Sequence, residues 1–149
     1  MTHLGGCLCG EIQFKVQGTP DRATVCHCRV CQLRTGSAFG IGVYFLEEKI
    51  NLVSGNLESY KFVSASGNNV KIDRCVTCGT PIFWQTDRNP GVIGTSGGSF
   101  DPPTFWYRLT SEAFTRSKAE FCIINSPESN ETSATYNPVN KEEARFIVE

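Results

Sequence analysis

The sequence predicts an all-β domain, and three observations carry that prediction. Short runs of period-two alternation recur along most of the chain, turn-forming residues separate them, and no stretch keeps a long helical period. At 149 residues the chain is long enough to bury one core without disulfide help. Ten Phe, four Tyr and two Trp supply bulk for that core.

The elements follow in order. Residues 11–17 alternate, with Ile12, Phe14 and Val16 directed inward, and Gly18-Thr19-Pro20-Asp21 turns the chain. Ala23-Thr24-Val25 leads as a second extended stretch into Cys26-His27-Cys28-Arg29-Val30-Cys31, and residues 32–37 read as a loop or one helical turn. Phe39, Ile41, Val43 and Phe45 form the next strand. The intervening Gly40 and Gly42 leave one face bare, for a ligand or for a closely packed neighbour. Further strands are expected at 50–53, 58–62, 70–74, 81–85, 92–95, 105–109 and 119–124. The domain spans 1–125, and 126–149 reads as a polar tail short of apolar anchors. Asn140 is the expected N-cap of a brief terminal helix with Ala144, Ile147 and Val148 on its apolar face.

Charge and hydropathy narrow the function. The net charge of −1 argues against a nucleic-acid partner held by a basic surface. No apolar run approaches bilayer length, so no membrane partner is expected. The N-terminal Met1-Thr2-His3-Leu4-Gly5-Gly6 lacks a secretion signal, which points to a reducing cytoplasmic location. Self-association is compatible with the sequence.

In a reducing compartment, close-spaced cysteines favour zinc over disulfides. Cys7/Cys9 and Cys75/Cys78 are two close pairs, each followed by a glycine (Gly10, Gly79) that permits a sharp bend. They suit a closed structural zinc site, although spacing alone does not pair distant cysteines. Cys26, Cys28 and Cys31 form a set of three, the pattern of a zinc site with one position open. Cys122 either closes that site or is a small buried residue. His27, between two cysteines of an extended segment, points away from their ion and is expected to face solvent or a second layer of contacts. A sulfur-rich ion with an open position accepts a further thiol and keeps it ionised, which suits making or breaking a carbon–sulfur bond.

Gly6-Cys7-Leu8-Cys9-Gly10, the three-cysteine run with Thr35-Gly36, and Cys75-Val76-Thr77-Cys78-Gly79 together resemble the glutathione-dependent formaldehyde-activating enzyme family, which includes centromere protein V. The resemblance covers about residues 3–124. It implies small twisted β-sheets stapled by zinc, a β-tent-like fold shared with a Rab exchange factor and methionine sulfoxide reductase B. It implies two zinc ions, one on Cys7, Cys9, Cys75 and Cys78 and one on Cys26, Cys28 and Cys31, and a carbon–sulfur lyase activity on a glutathione-type thiol or conjugate. By analogy Arg34, Gly36 and His27 are candidate substrate-binding residues, and Arg29 is a second candidate for a carboxylate. Family members commonly carry a histidine where this chain has Phe105-Trp106-Tyr107; that run and Phe83-Trp84 wall a pocket or pack the core. The alternative to an enzyme is a zinc-stabilised interaction module.

Overall fold

The computed structural model describes residues 1–139. The expected helix after Asn140 lies outside them. Eleven strands, one short α-helix and two single-turn 3-10 helices (Glu47–Lys49 and Thr115–Ser117) are present among the described residues: β1 Thr2–Gly6, β2 Gln13–Gln17, β3 Arg22–Cys26, α1 Arg29–Thr35, β4 Gly40–Leu46, β5 Ile50–Ser54, β6 Leu57–Val63, β7 Asn69–Cys75, β8 Pro81–Thr86, β9 Val92–Ser96, β10 Ser111–Ala113 and β11 Glu128–Ser129. They form a three-stranded sheet in the order β1-β2-β5 and an eight-stranded sheet in the order β11-β10-β3-β4-β9-β8-β7-β6. The fold class is all-β, as expected. No helix of the described residues is long and apolar enough to cross a membrane.

Alternation sets which side of each strand enters the core. Ile12, Phe14 and Val16 are buried as the sequence requires, and they meet Ala23, Val43, Phe45, Ile82 and Phe83 of the large sheet. Phe14 is the hinge of this contact, edge-on to Phe83 at 5.1 Å and to Phe100 at 5.6 Å.

Two expected strands are absent. Residues 105–109 run irregularly after Asp101-Pro102-Pro103, whose prolines cannot donate to a ladder. Their rings pack instead of pairing: Trp106 stacks on His3 at 3.4 Å and meets Phe100 at 5.4 Å, and Tyr107 donates to the Gly97 carbonyl at 2.9 Å. Core packing, rather than a pocket wall, therefore accounts for Phe83, Trp106 and Tyr107. Residues 119–124 do not pair either, because β10 already occupies the edge of β3 in parallel register. Phe121 and Ile123 are left exposed.

The polar segment 126–139, which by composition reads as a tail, is attached to the domain. β11 lies parallel to β10, Asn130 donates to the Glu112 carbonyl at 2.9 Å, and Tyr136 meets the edge of Phe114 at 5.2 Å. Backbone hydrogen bonds, rather than apolar burial, make that attachment, and composition does not reveal them.

Replacing Phe14 by Ala removes the ring shared by both sheets. We expect a loss of about 3–5 kcal/mol in denaturant unfolding, whereas Leu33→Ala on the exposed side of α1 is expected to stay within about 0.5 kcal/mol.

Candidate metal centres

Two sulfur clusters stand out. The first is built from two turns, one after β1 and one after β7. After β1, the Gly10 amide donates to the Cys7 carbonyl at 3.1 Å; after β7, the Gly79 amide donates to the Cys75 carbonyl at 2.9 Å. Gly10 and Gly79 adopt left-handed φ of 82° and 74°, the conformation the sequence anticipated. Thr80 joins the turns, accepting from the Leu8 amide at 3.3 Å and lying 3.1 Å from Cys78 Sγ.

The four sulfurs of Cys7, Cys9, Cys75 and Cys78 lie within 4.8 Å of one another, with Cys7–Cys9 at 3.4 Å and Cys9–Cys75 at 3.7 Å. Zinc–sulfur bonds of about 2.3 Å arranged tetrahedrally give sulfur–sulfur edges of about 3.8 Å, so the donor set fits a metal ion. The Ile12 amide donates to Cys7 Sγ at 3.2 Å, a contact that favours a thiolate. The Thr80 hydroxyl and the Thr80 and Cys9 amides pull Cys78 down to about 5. Such a set shares protons poorly and is neutralised by a dication.

The second cluster gathers Cys26, at the end of β3, with Cys28 and Cys31. Cys28 is the N-cap of α1 and its sulfur accepts from the Cys31 amide at 3.4 Å. All three sulfurs lie within 4.8 Å of one another, and no fourth Cys, His, Asp or Glu of the described residues joins them. Cys122 belongs to neither cluster. Hydrogen bonds from Cys26 and Cys28, with Arg34 nearby, hold Cys31 well below the ordinary thiol value. Cys28 is lowered by Cys26, but the bond to Cys31 and burial outweigh this and push it up to about 12. Three sulfurs this close compete to carry negative charge, and a cation would relieve that competition. The donor set fits a metal with three protein ligands.

A polar network fixes this cluster from behind. Gln32 Nε2 reaches the carbonyls of His27 (3.1 Å), Ser117 (3.2 Å) and Ala38 (3.4 Å). The His27 ring points away from the sulfurs, as alternation requires, but it is fully buried rather than facing solvent. Its Nε2 meets Glu112 Oε1 at 2.8 Å, and the same oxygen accepts from Lys118 Nζ at 2.8 Å. Nothing in the sequence marks Glu112 or Gln32: each is one polar residue among many, and only the parallel pairing of β10 with β3 brings Glu112 beneath the cluster.

Of the remaining candidates, Arg34 lies over Trp84 at 3.9 Å and lines a groove of about 970 Å³ that reaches Cys7 and Thr80 of the first cluster. Gly36 is the left-handed C-cap of α1, and its amide donates to the Gln32 carbonyl at 2.8 Å. Arg29 Nη1 donates to Gln32 Oε1 at 3.4 Å.

Fold and clusters together define a small β-protein equipped with two candidate metal centres. Comparison with known proteins specifies it further. The chain belongs to the glutathione-dependent formaldehyde-activating enzyme family, whose model matches residues 2–117. It also shares its fold with a crystal structure of a Rhodobacter sphaeroides protein, at a TM-score of 0.55 and 24% identity over 73% of this chain and 97% of that one.

Burial alone would raise Glu112, but the hydrogen bonds from Lys118 and His27 outweigh it and hold the carboxyl below its ordinary 4.5. A depressed folded value contributes stability above pH 4.5 that is lost as pH falls through the folded value. Glu112→Gln is expected to cost on the order of 3 kcal/mol at neutral pH and to flatten this acid limb in unfolding measured against pH.

Proposed function

We propose that the protein is a zinc-dependent enzyme that makes or breaks a carbon–sulfur bond in a thiol adduct, a glutathione-type conjugate above all. The observation that carries this reading is the convergence of Cys26, Cys28 and Cys31 with no fourth side-chain donor among the described residues. Family membership supports it, since the family's description joins glutathione to formaldehyde. In this reading Cys7, Cys9, Cys75 and Cys78 hold a structural zinc, and the three-cysteine cluster holds the second.

Zinc at the second cluster would accept an incoming thiol sulfur and keep it ionised near neutral pH. The chain's own residues then orient the substrate. Arg34, beside Cys31 and braced on Trp84, offers a planar donor fork to a carboxylate. Gly36 ends α1 abruptly enough to leave the approach open, and His27 holds the cysteine-bearing segment from below. In the synthetic direction the sulfur bonds to the carbonyl carbon of an aldehyde, and the proton lost by the thiol ends on the former carbonyl oxygen. Cleavage reverses both transfers.

Metal analysis should find about two zinc ions per chain. Cys28→Ser should lose the second ion, retain the first, and lower adduct formation, followed by NMR of glutathione with formaldehyde, by about 10²-fold or more. Two equally inert ions, or unchanged activity in Cys28→Ser, would favour a zinc-stabilised interaction module instead.

A further inference from the structure

The outer face of the large sheet, which carries the three-sulfur cluster, holds a second feature. Strand registers put Arg22, Thr24 and Cys26 of β3, Gly40, Gly42 and Tyr44 of β4, Gly94 of β9 and Trp84 of β8 on one side. A Cβ on Gly42 would meet the Tyr44 ring at 2.7 Å, and one on Gly94 would strike the Trp84 indole. The aromatic rings therefore lie flat over the glycines. They form a continuous strip: Arg34 over Trp84 at 3.9 Å, Trp84 Nε1 donating to Tyr44 Oη at 3.4 Å, and Arg22 over Tyr44 at 4.1 Å.

At the far end the charge is not balanced. No carboxylate of the described residues forms an ion pair with Arg22 or Arg88. The two guanidinium groups repel one another, and this repulsion adds to burial in holding Arg88 below its ordinary value. Arg88 Nε is buried without a hydrogen-bond partner. With its side-chain oxygen turned toward Arg22, the Asn89 amide accepts from Arg22 Nη2 and donates to the Arg88 backbone carbonyl, each at 3.2 Å. Two neighbouring cations with an unused buried donor are what a visiting anion would satisfy.

We propose that Arg22 and Arg88 form an anion subsite that receives the remote carboxylate of a peptide-sized thiol whose sulfur lies at the Cys26/Cys28/Cys31 cluster. Arg22 and Cys26 are four residues apart on β3, about 13 Å at about 3.3 Å per residue. In a γ-glutamyl-cysteinyl-glycine the sulfur hangs from the central residue, so its reach to a terminal carboxylate stays under the roughly 10 Å of the whole extended tripeptide; the arginine side chains cover the rest, whereas the carboxylate of free cysteine lies too close to its own sulfur. The subsite deepens the thiol-adduct reading and rests on it for its ligand, but the contact itself needs no sulfur.

That independence supplies the test. γ-Glutamyl-alanyl-glycine, which has no thiol, and its dimethyl ester are titrated calorimetrically into the zinc-loaded protein. The free acid is expected to bind about tenfold more tightly than the ester, the order of one charge-assisted hydrogen bond. Arg22→Gln and Arg88→Gln are each expected to erase most of that advantage, and Cys28→Ser to keep it. Equal binding of acid and ester to the unaltered protein, binding of neither, or an advantage retained in the double arginine variant would overturn the subsite. Because esterification alters only the ligand, the first comparison holds even if an arginine variant misfolds. Full activity in Cys28→Ser would instead refute the thiol reading and leave the subsite standing.

Discussion

The architecture depends on a junction of sulfurs. Cys7 and Cys9 lie in the turn between β1 and β2 of the small sheet, Cys75 ends β7 of the large one with Cys78 just beyond it, and their sulfurs meet within 4.8 Å. Cys9 and Cys75 are 66 positions apart in the chain, so closing this contact confines a long intervening segment. Thr80 and Ile12 aim backbone and hydroxyl groups at the same sulfurs. Apolar packing of Phe14 between the sheets and polar satisfaction at the junction thus enforce one relative placement.

The three-sulfur cluster is held differently. Its sulfurs come from one short stretch, so no long loop is closed by them. Order comes from beneath, through Gln32 and the His27–Glu112–Lys118 chain, a network with most of its polar atoms paired. The cost of seating a histidine and a carboxylate inside the protein is offset by that pairing, and the result is a rigid frame for Cys26 and Cys28. On the cluster's face of the sheet, glycines on β4 and β9 let the Tyr44 and Trp84 rings lie along the backbone.

Much of this was legible in the residues themselves. The period-two runs placed most central strands, since Ile12, Phe14, Val43 and Phe45 alternate with polar or small neighbours along them. Both cysteine groupings were visible from spacing, because ligands close in sequence need only a tight turn to converge. Legibility failed where tertiary pairing decided the outcome. Residues 105–109 look like a strand because aromatics favour strands, yet ring packing on Phe100 and His3 won. The two-residue β11 and the placement of Glu112 rest on parallel register, which leaves no periodic mark. Residues 32–37 read as a loop or one helical turn, whereas α1 begins earlier, at Arg29, and carries no buried apolar stripe to mark it.

Strand β3 has a wider consequence. Ala23 and Val25 are buried on one side, while Arg22, Thr24 and Cys26 occupy the other. A single five-residue ribbon therefore serves foldedness with Ala23 and Val25 and chemistry with Arg22, Thr24 and Cys26. Mutational drift on the outer side can retune what the molecule greets while the interior jigsaw stays whole, so descendants of such a chain can diversify in taste without first becoming fragile.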